Sequence, residues 1–482
     1  MIKLNRTLTA SRLQRKLSRF WELSGDKIQQ IERHYDETKG APVFTRQGAY
    51  TSRGWTEWTQ GFQYGAALIQ FDATGDSEFL ELGRRKTVER MAPHLTHFGV
   101  HDHGFNNVST YGHLLRLANE GQMDAAPWER AYYELAMKVS GAVQARRWTA
   151  IKDGGYIYSF NGPHSLFADT IRSLRALAVS HKLGHALMGE NDRKTSLLER
   201  LIQHARTTAQ YVVFYGEGRD AYDLRGRVAH EGIFNLNDGC FRCPNSQQGY
   251  SPFSTWTRGL AWILCGYAEQ LEFLVTCSDA ELKPLGGRQA IEAMFLKAAC
   301  ATADFYLENT PTDGIPYWDT GAPGLSRLGN YLGRPADPFN AYEPVDSSAA
   351  AIAVQGLLRL GAYIKSRESK VTSPKLMAQS PKSKLSPRLG TLDSGLGTSY
   401  WQAGLTVLDS LISEPYLSTA AKHQGLLLHS VYHRPNGWDT IPRGQKVPCG
   451  ESCMWGDYHV REAALYVQRL IDGKPYLTFF GK

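Results

Sequence analysis

Two features of the chain could carry chemistry. In Gln248-Gly249-Tyr250-Ser251-Pro252-Phe253-Ser254-Thr255-Trp256-Thr257-Arg258-Gly259-Leu260-Ala261-Trp262 a Gly/Ser/Pro loop runs into a helical pattern, with Ser254 as the expected cap. Arg258 and Trp262 then fall four apart on one helix face. A guanidinium fork beside an indole, behind the loop amide of Gln248, suits a planar carboxylate carried on a sugar ring. The alternative is a buried Trp helix with one structural arginine. The second feature is a pair of carboxylates at expected helix starts, Asp102 in His101-Asp102-His103-Gly104-Phe105 and Asp169 in Leu166-Phe167-Ala168-Asp169-Thr170-Ile171. Either could simply cap its helix. Among apolar neighbours Asp169 would be partly desolvated, and its pKa would rise toward the range useful for proton donation. Two carboxylates at neighbouring helix starts are common equipment of carbohydrate-active enzymes. His230, Gln248, Arg258 and Trp262 would add polar and stacking contacts, and Trp55, Trp58 and Phe62 would wall the cleft.

Other chemistries find less support. His101 and His103 flank Asp102, but adjacent residues point apart and no HExxH spacing follows. Of seven cysteines, four form the close pairs Cys240/Cys243 and Cys449/Cys453. Each pair precedes an expected inner helix, so four thiolates converging on zinc is one arrangement and free thiols the other. No Gly-rich phosphate loop, nucleophile elbow or kinase motif set occurs. A net charge of +7 over 482 residues favours an anionic substrate, but the basic residues are too scattered for a nucleic-acid binder. No run of 18 apolar residues is present, so no membrane-spanning helix is expected. Met1-Ile2-Lys3-Leu4-Asn5-Arg6 lacks the apolar stretch of a secretory signal, which reads as a cytoplasmic chain.

The elements that must position these residues are helical almost throughout. Apolar periodicity predicts twelve helices, near 14–36, 58–74, 77–97, 105–119, 125–146, 166–184, 191–214, 254–275, 287–309, 346–365, 399–416 and 456–472. Short ribbons are expected at 226–236 and 313–319. Odd-numbered helices are heavily charged; even-numbered ones open with Gly, Trp, Asp or Ser and run apolar, as buried helices do. Alternating outer and inner helices describe an all-α fold, an (α/α)6 barrel of six helical hairpins, with the inner helices presenting their N-terminal ends at one mouth. A solenoid is the alternative, but no repeat of fixed length is present. Residues 1–482 read as one catalytic domain. A Lys- and Ser-Pro-rich stretch at 366–390 is expected to be a flexible insertion.

Five motifs in order resemble glycoside hydrolase family 88, the unsaturated glucuronyl hydrolases. They are Trp58-Thr59-Gln60-Gly61-Phe62 followed by Thr74-Gly75-Asp76, His101 to Phe105, Gln248 to Trp262, Asp346-Ser347-Ser348-Ala349-Ala350, and Glu451-Ser452-Cys453-Met454-Trp455-Gly456-Asp457-Tyr458. The resemblance spans about residues 55–470 and implies the same (α/α)6 barrel. It implies action on oligosaccharides left by polysaccharide lyases, with water added across the vinyl ether of a terminal 4,5-unsaturated uronic acid. By the same resemblance Asp169 is the general acid/base, and Asp102 is the second essential carboxylate. Trp58, His230, Gln248, Arg258 and Trp262 fall among the substrate-binding residues, and no metal or organic cofactor is implied. The chain departs from the family at Pro252 and Phe253, where acidic residues are usual, and at Leu260, Gln63 and His103. It departs again at Asp169-Thr170-Ile171-Arg172-Ser173, where only the aspartate is kept. These departures leave open a conventional inverting hydrolase, which needs carboxylates roughly 6.5–9.5 Å apart, or a non-catalytic sugar-binding homologue.

Overall fold

Charge and apolarity alternate along the chain, and in three dimensions the alternation becomes two concentric rings. The computed structural model describes residues 1–54, 57–371 and 395–481. Among these lie twelve long helical stretches: α1 (Gln14–His34), α2 (Gln60–Thr74), α3 (Ser77–Arg90), α4 (His103–Asn106, a π-helical Val108–Gly112 and His113–Asn119), α5 (Pro127–Arg146), α6 (Thr170–Ser173 and Arg175–Lys182), α7 (Leu197–Tyr211), α8 (Thr257–Thr276), α9 (Arg288–Glu308), α10 (Ser347–Val371), α11 (Leu396–Leu411) and α12 (Met454–Ile471). Helix α2 packs on α4, α4 on α6, α6 on α8, α8 on α10, α10 on α12, and α12 returns to α2. The even-numbered helices therefore close a ring, and the odd-numbered ones lie against its outside, giving the expected (α/α)6 barrel.

Sequence explains the sorting. In α1 only Leu17, Phe20, Trp21, Ser24, Ile28, Ile31 and a few neighbours are buried, at helical spacing. Fully burying such an aliphatic side chain contributes about 1.5–3 kcal/mol. By contrast α8 is buried at every position from Thr257 to Leu274, and α12 from Met454 to Arg469. Residues Ser347–Glu368 of α10 are long and apolar enough to cross a membrane by length and composition, yet 94% of that window is buried inside the barrel.

The inner helices meet backbone to backbone, and glycine makes this possible. A β-carbon on Gly61 of α2 would overlap the backbone of Asn106, and one on Gly104 of α4 the backbone of Ser173. Gly266 of α8 presses on Ile171 and Arg172 in the same way, and Gly356 of α10 on Leu264 and Cys265. Four of the six contacts around the ring thus pass through a residue with no side chain.

Short strands lie in the connections between helices: β1 (Phe44–Arg46), β2 (Ala49–Thr51), β3 (Trp148–Ile151), β4 (Gly154–Ile157), β5 (Ser165–Phe167), β6 (Ala186–Met188), β7 (Lys194–Ser196), β8 (Glu231–Phe234) and β9 (Phe241–Asn245). All pair antiparallel, and β5, β8 and β9 form one sheet in that order. The ribbon expected at 226–236 is β8, whereas 313–319 contributes only single bridges at Tyr317 and Asp319. Residues 166–167 are strand rather than helix, because this buried run pairs with β8. Helix α8 begins at Thr257, not at Ser254. The Ser254 hydroxyl donates to the Ser251 carbonyl at 3.2 Å, and Trp256 bridges to Asp319, which holds residues 254–256 out of the helix. Helix α10 continues through the first part of the expected insertion to Val371; positions 372–390 lie outside the described residues.

Gly104→Ala is expected to lower stability by about 1–3 kcal/mol or more, because the Ser173 carbonyl belongs to a neighbouring inner helix and has little room to retreat. A melting midpoint equal to wild type would show that the ring tolerates a wider spacing there.

Candidate functional site

At the mouth of the barrel the starts of the inner helices surround a pocket. Asp102 immediately precedes α4 and Asp169 immediately precedes α6. Neither side chain caps its helix, so the structural role that both positions allowed is not the one they take. Both carboxylates line the pocket, with His101 between them. His101 Nε2 lies 3.4 Å from an Asp169 oxygen and 3.8 Å from an Asp102 oxygen. One donor atom from each of the three residues falls within 4.8 Å of the others, the one set among the described residues close enough to hold a metal ion.

The electrostatics differ from the sequence expectation. Burial pushes the Asp102 carboxyl above its ordinary value, against the opposing charge of His101. Burial alone would also raise Asp169, as its apolar surroundings suggested, but the adjacent His101 charge outweighs it and holds Asp169 low. Burial would depress His101, yet Asp102 and Asp169 together raise it. The proton favoured by the site thus rests on the imidazole rather than on Asp169. His103 turns away, with Nδ1 at 3.1 Å from Ser140 Oγ and Nε2 at 2.9 Å from the His97 carbonyl, as the divergence of adjacent residues predicts.

The β5–β8–β9 sheet supplies the register. Strand β5 leads into Asp169, and Ala168 N donates to the His230 carbonyl at 2.9 Å, so Asp169 and His230 enter the mouth side by side. Strand β9 leads to Gln247 and Gln248, both of which line the pocket. Glu231 ties the three segments together by accepting from Asn161 Nδ2 at 3.1 Å, from Asn245 Nδ2 at 2.6 Å and from the Ser165 hydroxyl.

Trp58, Gln248, Arg258 and Trp262 line the pocket as expected. Trp58 stacks on Trp455 at 5.1 Å between centroids, and Trp262 meets Phe105 at 4.8 Å, giving an aromatic floor. Phe62, expected in the wall, is fully buried against Tyr458 beneath that floor; Trp55 lies outside the described residues.

His230 does not line the pocket. Its Nδ1 accepts from Gln247 N at 2.9 Å, its ring sits between Phe167 and Trp256, and burial brings its pKa down to about 3. It is therefore a neutral support behind the Gln247–Gln248 loop. Arg258 also differs from expectation, because its fork is already engaged. Nη1 donates to Asp346 at 2.9 Å and to the Val431 carbonyl at 2.6 Å, while Nη2 donates to Gln248 Oε1 at 3.0 Å and to the Tyr432 carbonyl at 2.8 Å. Its guanidinium lies over Trp256 and Trp455. Arg258 presents charge to the pocket while bracing α8, α10 and the loop before α12.

The cysteine pairs do not converge. Cys240 and Cys243 are exposed, Cys449 and Cys453 are buried, and all are free thiols. Cys453 precedes α12, where its sulfur accepts from Gly456 N at 3.3 Å. Residues missed by sequence reasoning include Phe160, Gln247, Tyr432, His433 and Trp438. Tyr432, His433 and Trp438 come from a loop with no helical period, where Asp439 accepts the backbone N–H groups of Tyr432 and His433. An aromatic-rich turn, His433-Arg434-Pro435-Asn436-Gly437-Trp438-Asp439, was the one available signal.

No family model matches the chain. It is 24% identical over 418 residues to an unsaturated glucuronyl hydrolase of Formosa agariphila, covering 86% of this chain and 81% of that protein. It is 24% identical over 429 residues to an unsaturated glucuronyl hydrolase of Bacillus sp. strain GL1, covering 87% and 89%. The solved structure of the Bacillus sp. GL1 protein, described as responsible for degrading glycosaminoglycan, superposes with a TM-score of 0.64 at 21% identity over 94% of this chain and 97% of that one. A Streptococcus agalactiae unsaturated glucuronyl hydrolase, carrying an aspartate-to-asparagine substitution and complexed with dGlcA-GalNAc6S, superposes with a TM-score of 0.60 at 18% identity over 98% of both chains.

Arg258→Lys keeps a charge for Asp346 but cannot reach Gln248 and two carbonyls at once. A lower melting midpoint and weaker substrate binding are expected together. Arg258→Met, which leaves Asp346 buried without its cation, should cost about 3–5 kcal/mol. Wild-type melting of either variant would remove Arg258 from its bracing role.

Proposed function

We propose that this relative of the unsaturated glucuronyl hydrolases releases a 4,5-unsaturated uronic acid from the non-reducing end of lyase-generated oligosaccharides, by adding water across the C4=C5 vinyl ether. The observation that carries the reading is the pair Asp102 and Asp169, in one aromatic-floored pocket, with oxygens within 4.8 Å of each other. One oxygen from each can thus address a single sugar ring. The kinship with hydrolases of unsaturated uronides supports the same choice.

In this reaction Asp169 delivers a proton to C4, positive charge develops at C5 and the ring oxygen, and water adds at C5. Asp169 takes up the proton that the water releases. The resulting hemiketal opens and frees the neighbouring sugar. Asp102 holds ring hydroxyls and places negative charge beside the developing cation, an arrangement worth most where water is excluded. Trp58 and Trp262 offer apolar surface to the sugar rings, and the Gln248 amide, fixed by Arg258, offers polar contacts to the uronate.

Consumption of an unsaturated uronyl disaccharide is expected to abolish the ultraviolet absorbance of the conjugated double bond, and in heavy water deuterium should enter at C4. Asp169→Asn preserves shape but cannot cycle the proton, so turnover should fall by about 10²–10⁴-fold with folding little changed. Cleavage without loss of the double bond would instead mark conventional glycoside hydrolysis.

A further inference from the structure

The proposed reaction needs an acid, and the residue that must deliver the proton is held ionised. Burial would raise the Asp169 pKa, but the His101 charge 3.4 Å away outweighs it. The missing proton has one well-placed source. The His101 ring is buried, Nδ1 meets no hydrogen-bond partner, and Nε2 faces the two carboxylates at 3.4 and 3.8 Å without a hydrogen bond to either. The ring cannot swing out to water. Phe160 stacks on it at 6.2 Å and 16°, Phe167 meets its edge at 5.6 Å, and its own carbonyl accepts from Gln144 Nε2 at 3.0 Å and Ser173 Oγ at 2.7 Å.

Neighbouring histidines are committed elsewhere. His103 is tied to Ser140 and the His97 carbonyl. His204 accepts from Ile157 N at 3.0 Å, and His230 accepts from Gln247 N. Burial brings these three to about 4, 3 and 3, so they stay neutral. The charged groups acting on His101 are therefore Asp102 beside it, Asp169 before α6, and Arg147 at the end of α5, which opposes them.

We infer that His101 is a positioning residue that stores the catalytic proton and passes it to Asp169 when the anionic uronyl group enters. This rests on the vinyl-ether reading above. A third negative charge seated nearer Asp169 than the imidazole disfavours the ionised carboxylate more than it favours the imidazolium, and the proton crosses from Nε2 to the carboxylate. The steps balance: the N–H bond of His101 breaks as O–H forms on Asp169, and that O–H breaks as C4–H forms. Water loses a proton to Asp169 as its oxygen bonds C5, and the proton returns to His101 Nε2. No oxidant or reductant is involved.

Two measurements test this. In protein labelled with ¹³C at histidine Cε1, without substrate, the His101 resonance (assigned by its loss in His101→Gln) should titrate above 6.5 and move to lower pH in Asp169→Asn. Titration at or below 6.5, or no response to Asp169→Asn, overturns the assignment. In kinetics on an unsaturated uronyl disaccharide, His101→Gln should lower turnover by about 10²-fold. It should also move the alkaline fall in kcat/KM that His101 deprotonation imposes on wild type, because Asp169 then titrates without the imidazole beside it. An unchanged pH profile overturns the assignment, because a merely structural histidine would not set that limb. The titration uses no substrate, so a failure of the vinyl-ether reading appears in the kinetic assay alone. Should His101→Gln fail to fold, His101→Asn serves in its place for both the assignment and the kinetics.

Discussion

The inner helices of this barrel touch through their backbones, and everything at the mouth follows from that spacing. With side chains at Gly61, Gly104, Gly266 and Gly356 the ring would have to widen. Asp102 immediately precedes α4 and Asp169 immediately precedes α6, and Gly104 lies against Ser173, so the closest approach of the two helices lies within a turn of both carboxylates. The Ser173 hydroxyl strengthens this junction by accepting from Gly104 N at 2.9 Å while donating to the His101 carbonyl. The distance between the two carboxylates is therefore a property of helix packing, not of flexible loops.

Burial so close to the barrel axis carries an electrostatic cost that the chain meets by pairing. Arg258 meets Asp346 at 2.9 Å, and below the pocket Arg172 and Arg175 meet Glu462 while Arg172 also meets Glu269. Breaking one partner of such a buried pair is far more damaging than the pair's net contribution suggests. Pocket and structural charges are thus layered. The pocket holds groups whose protonation can change, and beneath it lie guanidinium–carboxylate pairs whose ionisation is fixed.

Much of this was legible in the sequence, and the failures have physical causes. Helical periodicity and the outer–inner alternation report burial directly, and they yielded twelve helices and a closed ring. Asp102, Asp169, Gln248, Arg258 and Trp262 were found because each sits at or near the start of an inner helix. The loop residues Tyr432, His433 and Trp438 were missed because the fold of an irregular segment depends on long-range bonds, such as those to Asp439, that leave no period. The placement of His230 was not legible because sequence cannot tell a side chain facing a pocket from one bracing the loop that faces it. The direction of the Asp169 shift was misjudged for a related reason. Apolar neighbours in sequence announce desolvation, but the opposing imidazole arrives from 68 positions earlier, on another helix start.

Helix α10 has a consequence for how the chain is made. Its Ser347–Glu368 segment resembles a membrane span in length and apolarity, and only the finished barrel covers it. The ring is closed by α12 meeting α2, a junction where Arg469 pairs with Asp72 across 397 residues of sequence. During synthesis α10 emerges about a hundred residues ahead of α12, roughly 5–20 s at ordinary elongation rates. For that interval α8 and α11 can pack on α10, but its face toward α12 stays open. The interval in which nascent barrels are most exposed to aggregation or mistaken membrane insertion is therefore set by the sequence distance between α10 and α12.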